Sequence, residues 1–145
     1  NFEAYKKGDL DLVKNEFQQG SGLALRHNKT VKWIIEVAAL SDEQIADITI
    51  KISEWAEEKF SDEQQRHIFV KSSTGFFKTD DGKPNGATPE AIKIMLENAG
   101  KLQVKAAGGV RSQDEAEQML ALGVTRIGTS SAQALMQNQQ QLGGY

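Results

Sequence analysis

Two lysines close short apolar runs in this chain: Lys71 ends Ile68-Phe-Val-Lys71 and Lys105 ends Leu102-Gln-Val-Lys105. An ammonium held among apolar neighbours loses solvation, which favours the neutral amine. A neutral amine is a nucleophile that adds to carbonyl carbon and forms an imine. If the two runs are adjacent strands and both lysines point the same way, two like charges stand a few ångströms apart, and one of them is expected to give up its proton near neutral pH. The competing reading is that each lysine snorkels to the rim and meets an acid.

A second chemistry is anion binding. Gly108-Gly109 lets backbone N–H groups approach a ligand, and Gly128-Thr129-Ser130-Ser131 precedes a helix whose N-terminal dipole and hydroxyls favour a phosphate. Taken singly, the glycines also read as a tight turn and the serines as an ordinary N-cap. Arg111 and Arg126 are further phosphate candidates or rim salt bridges. Glu36 closes a third apolar run as a possible acid or base, or as a structural partner for a lysine. His27 and His67 fall in polar segments without a second ligand at metal spacing. Trp33 and Trp55 read as packing residues.

These groups need elements to position them, and the chain alternates helix-like and strand-like segments, the pattern of a parallel sheet with crossover helices. Leu10, Val13, Phe17 and, past a Gly-Ser-Gly break, Leu23 and Leu25 mark one helix face. Val31 to Val37 reads as a strand buried on both faces. Ser41-Asp-Glu-Gln44 is a capping box that starts a helix running to about Lys59. Strand Ile68 to Lys71 leads through an exposed loop, Lys78 to Gly86, to Thr88-Pro89-Glu90, an N-cap with proline in the first turn. Strand Leu102 to Lys105 leads to a second box, Ser112 to Glu115. Strand Val124 to Ile127 leads to a last helix toward Gln137. Glu36, Lys71, Lys105 and Gly128 each close one of four βα units, at spacings near the roughly 31 residues per unit of an eight-unit barrel. The expected fold is therefore α/β, half of a TIM (β/α)8 barrel, with a small open sheet as the alternative. In a barrel both lysines and the Gly-Thr-Ser-Ser turn fall on the C-terminal face, where such folds carry their sites.

With 145 residues, 39% of them hydrophobic, the chain fits one domain over residues 1–145. A net charge of −3 with scattered basic residues argues against nucleic acid. There is no cysteine, so disulfides and thiolate metal sites are excluded. No stretch resembles a signal or transmembrane segment, so a cytoplasmic protein is expected. The first residue is Asn1, and the chain reads as a segment of a longer polypeptide.

Three segments, Phe69-Val-Lys-Ser-Ser-Thr-Gly75, Val104-Lys-Ala-Ala-Gly-Gly-Val-Arg111 and Arg126-Ile-Gly-Thr-Ser-Ser131, resemble the signature strands of the deoxyribose-phosphate aldolase family. Ile34-Ile-Glu36 and Ala87-Thr-Pro-Glu90 extend the resemblance over nearly the whole chain, as the family's C-terminal half. It implies reversible cleavage of 2-deoxyribose 5-phosphate to glyceraldehyde 3-phosphate and acetaldehyde, with no metal or organic cofactor, by a homodimer whose partners are a sugar phosphate and an aldehyde. It implies Lys71 as the imine lysine and Lys105 as the neighbour that lowers its pKa and exchanges protons. Thr74, Gly108, Gly109, Gly128, Ser130 and Ser131 would line the substrate and its phosphate. Tyr145 would assist proton transfer at the end of a flexible tail, residues 137–145; a plain Gln-rich tail is the competing reading. The chain departs from the family in a longer loop, Phe76 to Gly86, and in lacking the first four strands with the aspartate that shuttles a proton there. Two alternatives therefore stay open: another phosphate-binding barrel enzyme, or a non-catalytic half-barrel that binds sugar phosphate or self-associates.

Overall fold

Local signals start most of the helices. Ser41, Ser61 and Ser112 each accept a backbone N–H three residues on, while Gln44, Gln64 and Glu115 bond back to the N-cap N–H. In the computed structural model, which describes residues 1–80 and 82–136, these boxes open α3 (Asp42–Lys59), α4 (Asp62–Gln65) and α6 (Gln113–Leu122). Thr88 accepts from the Ala91 N–H and Pro89 supplies the first position of α5 (Pro89–Asn98). The remaining helices are α1 (Phe2–Lys6), α2 (Leu10–Arg26) and α7 (Ala132–Met136). No helix among the described residues is long and apolar enough to cross a membrane.

Four strands, β1 (Val31–Ile34), β2 (Ile68–Lys71), β3 (Gln103–Ala107) and β4 (Arg126–Gly128), form one parallel sheet in chain order. The two faces of this sheet are unlike. Trp33 pairs with Val70, Val70 with Val104, and Ala106 with Ile127, and this side is sealed by helices. Val70 and Ala106 are 0% exposed there, as are Ile92 and Met95 of α5. The helices lie side by side, α2 against α3, α3 against α5 and α5 against α6. The other face carries Lys32, Ile34, Lys71, Lys105 and Arg126, all of them exposed or half-buried. Sequential parallel strands with one helical layer are the arrangement of a barrel sector, whereas a doubly wound sheet would place helices on both faces.

The structure departs from the sequence expectation in several places. β1 stops at Ile34, because Glu36 takes a left-handed backbone (φ 60°) and residues Val37–Ala39 form a 3-10 turn. α2 runs unbroken through Gly20-Ser21-Gly22: the Trp33 ring fills the space above Gly20, where a Cβ would lie 2.8 Å from it. The Trp33 indole N–H also donates to Ser21 Oγ at 2.8 Å. The expected break is thus a docking notch for a tryptophan. β3 continues beyond Lys105 to Ala107, and β4 starts at Arg126 rather than Val124. The short helices α1 and α4 were not anticipated, although Ser61-Asp-Glu-Gln64 repeats the Ser41-Asp-Glu-Gln44 pattern.

The box at α3 stabilises a helix that packs against both α2 and α5. Replacing Ser41 with alanine is expected to cost about 1 kcal/mol, read as a lowered urea midpoint at unchanged slope.

Candidate active site

Strand pairing decides the geometry. Lys71 of β2 is the register partner of Lys105 in β3, and Lys105 that of Arg126 in β4, so all three side chains leave the sheet on its open face. The Lys105 side chain lies across Gly128: a Cβ on that glycine would come within 2.7 Å of Lys105 Cε and 3.1 Å of Nζ. Gly128 therefore makes room for an ammonium group. A cleft of about 180 Å³ opens at the C-terminal strand ends, lined among others by Lys71, Thr74, Gly108, Gly109, Gly128 and Ser130.

Six of the residues singled out in the sequence thus meet in one cleft. Lys105 stands beside it rather than in its lining. Ser131 is 2% exposed and lies beneath the surface. Its N–H donates to Thr129 Oγ1 at 2.9 Å, and that hydroxyl donates to the Val110 carbonyl at 2.7 Å, tying the β4 turn to the glycine turn. Tyr145 and the segment 137–145 lie outside the described residues.

The charges on the open face are of one sign. Burial in the first place, then the charges of Lys71, Lys32 and Arg126, push the Lys105 ammonium below the usual lysine range. Among the described residues none of these four cations has an acid within ion-pair distance; the ion pairs present involve Lys14, Lys51, Lys93 and Lys101. The reading in which the lysines reach rim acids is therefore set aside. Arg126 is not a rim salt bridge either: its guanidinium carbon sits 4.9 Å from the centre of the Phe69 ring. That contact holds a third cation over the sheet, a cation–π pairing worth about 0.5–2 kcal/mol. Arg111 is exposed, and its backbone N–H caps onto Glu115.

The chain after Lys71 is braced on three sides. Ser72 Oγ donates to the Ala107 carbonyl and accepts the Ala107 N–H, both at 2.9 Å, and Ser73 Oγ donates to the same carbonyl at 2.7 Å. The Thr74 N–H and hydroxyl are taken by the Glu36 carboxylate. Gly108 (φ 80°) stands against Ser73 and Gly86, where a side chain would collide with both. The loop before α5 is drawn onto the same turn, because the Ala87 N–H donates to the Ala107 and Gly108 carbonyls.

Sequence reasoning passed over Ser72 and Ser73, and it offered Glu36 a lysine as its structural partner, where the structure gives it Thr74. Two serines just past a strand end carry no periodic signal. The contact between Glu36 and Thr74 spans 38 residues. His27 and His67 are exposed, and no group of three acidic or histidine side chains that could hold a metal occurs among the described residues. Trp33 and Trp55 pack on Phe17, as expected of core residues.

No family model matches the chain. It is 40% identical over 138 residues to the deoxyribose-phosphate aldolase of Staphylococcus haemolyticus, covering 94% of this chain and 54% of that protein. To the enzyme of that name from Thermococcus gammatolerans it is 39% identical over 132 residues, 90% of this chain and 52% of the other. Among solved structures, the aldolase QR15 superposes with a TM-score of 0.75 at 30% identity, covering 94% of this chain and 54% of that one. The deoxyribose-phosphate aldolase of Aeropyrum pernix, described as a tetramer, gives 0.66 at 27% identity over 86% of this chain and 47% of that one. The chain spans about half the length of the curated relatives it matches. Its fold is accordingly half of a TIM-type barrel, and by sequence and structure the chain is similar over nearly its whole length to about half of a deoxyribose-phosphate aldolase.

Proposed function

We propose that the chain carries the imine-forming wall of a class I aldolase that reversibly cleaves 2-deoxyribose 5-phosphate into glyceraldehyde 3-phosphate and acetaldehyde. The observation that carries this reading is the in-register pair Lys71 and Lys105, two cations on adjacent strands, the first lining the cleft and the second beside it. The Lys71 charge, after burial, is among the causes that hold the Lys105 ammonium below the usual lysine range.

Lys71 is the better placed nucleophile, since it lines the cleft while Lys105 lies behind it over Gly128. Its match to the first signature segment supports the same assignment. In the proposed sequence the Lys71 amine adds to the aldehyde carbon, water leaves, and a protonated imine remains. The C–C bond electrons then flow into the imine as the hydroxyl on the departing carbon loses its proton, releasing glyceraldehyde 3-phosphate and leaving an enamine. Protonation of the enamine carbon and hydrolysis return acetaldehyde and the free amine. Lys105, poised below the usual lysine range, is suited to give and take protons across these steps. The phosphate would rest on the Gly108-Gly109 turn and Ser130, which line the same cleft.

A second reading, a half-barrel that binds sugar phosphate without turning it over, has one specific observation in its favour. Glu36 is the buried carboxylate nearest the lysines among the described residues, and it is committed to Thr74. No described acid is left to move the proton.

Borohydride reduction in the presence of acetaldehyde separates the two. We expect a mass adduct on Lys71 that is absent in Lys71→Leu and forms at least about 100-fold more slowly in Lys105→Leu, the lower end for loss of a general acid–base group. A folded chain without any adduct would favour the binding-only reading. Gly108→Ala places a side chain at φ 80° against Ser73, and it is expected to cost more than about 1 kcal/mol of stability and to weaken protection of the chain by inorganic phosphate in thermal melts.

A further inference from the structure

Glu36 is the only ionisable side chain among the described residues that is buried, at 4% exposure. All its hydrogen bonds go to one residue. The Thr74 N–H donates to both carboxylate oxygens, at 3.2 and 3.1 Å, and the Thr74 hydroxyl donates to Oε2 at 2.6 Å. Thr74 Oγ1 in turn accepts the Phe76 N–H at 3.1 Å. A hydroxyl owns one proton and two lone pairs. Here the proton is given to Glu36 and one lone pair to Phe76, so a single lone pair is left for the cleft that Thr74 lines.

We infer that Glu36 is a positioning residue that fixes Thr74 as a one-way hydrogen-bond acceptor, so that the cleft selects aldehydes bearing a hydroxyl donor over the same aldehydes without it. The inference rests on Lys71 being the imine lysine and deepens that reading. A carboxylate is required for the polarity, because it accepts only. An amide in its place can accept the Thr74 N–H through its oxygen while its NH2 donates to Oγ1, which turns the hydroxyl proton outward and makes Thr74 a donor to the cleft. The left-handed backbone of Glu36 (φ 60°) is what carries the carboxylate across from the end of β1 to the loop after Lys71.

The test uses the full chain and a matched pair, 3-hydroxybutanal and 3-methoxybutanal, whose oxygens both accept a hydrogen bond while only the first donates one, with borohydride trapping and a count of all adducts on Lys71. The wild type is expected to trap the hydroxylated aldehyde about fivefold faster, the worth of one neutral hydrogen bond. In Glu36→Gln that ratio is expected to fall to about 1. A ratio that survives in Glu36→Gln, even with both rates reduced in parallel, would show Glu36 to be merely structural and overturn the inference while leaving the imine intact. Absence of adducts from either aldehyde on the folded wild type would sink the imine reading and this inference with it. Should Glu36→Gln fail to fold, the wild-type hydroxyl proton of Thr74 decides: slow exchange with water and an NMR correlation to Glu36 are expected, and rapid exchange would overturn the inference.

Discussion

Parallel pairing in register is the constraint from which the rest of this molecule follows. Once Lys71 is set opposite Lys105, and Lys105 opposite Arg126, strand geometry sends all three to one face and leaves no freedom to separate them. Lys32 adds a fourth cation to that face. Self-repulsion of this kind does not stabilise a fold, and here it is uncompensated by any acid among the described residues. The opposite face supplies the stability instead: Ile68, Val70, Val104 and Ala106 are sealed under α3, α5 and their neighbours. One side of the sheet holds the chain together, and the other is kept electrostatically tense.

That division of labour demands a rigid rim. The strand ends are joined by short side-chain bonds across β2 and β3, through Ser72 and Ser73 to Ala107, and by the Glu36 bonds to Thr74. Glycine appears where the rim has no volume to spare: Gly128 under the Lys105 amine, Gly108 between Ser73 and Gly86. Glu36 pays for its reach with a left-handed backbone, a conformation costing on the order of 1–3 kcal/mol for a residue with a side chain. Strain of that size at the edge of a cleft is typical of positions whose placement matters to chemistry.

Much of this was legible in the amino-acid sequence wherever the determining contact is local. Ser41 with Gln44, Thr88 with Pro89, and Ser112 with Glu115 announce helix starts within four residues, and the structure uses each. The lysines were legible because a charged residue closing an apolar run has few benign explanations, and their pairing was expected if the two runs formed adjacent strands, which the register bears out. Contacts between distant segments were not. Gly20 and Ser21 looked like a helix break until Trp33, on the next strand, was seen to occupy the notch. Glu36 looked like a strand end, and only the fold brings it to Thr74. Ser131 looked equivalent to Ser130 but is turned inward by the bond from its own N–H to Thr129.

The most direct measurement of the central claim, that strand register sets the Lys71 charge against a half-buried Lys105 and lowers its pKa, is an NMR titration of the Lys105 side-chain carbons. Burial and the three neighbouring cations lower the Lys105 pKa, so the folded chain gives up that proton below the ordinary lysine value of about 10.4 and gains stability as pH rises through this window. Replacing Lys71 with methionine should move the Lys105 midpoint upward, toward that ordinary value. A Lys105 that titrates at about 10.4 in the intact chain, unmoved by the loss of Lys71, would contradict the account.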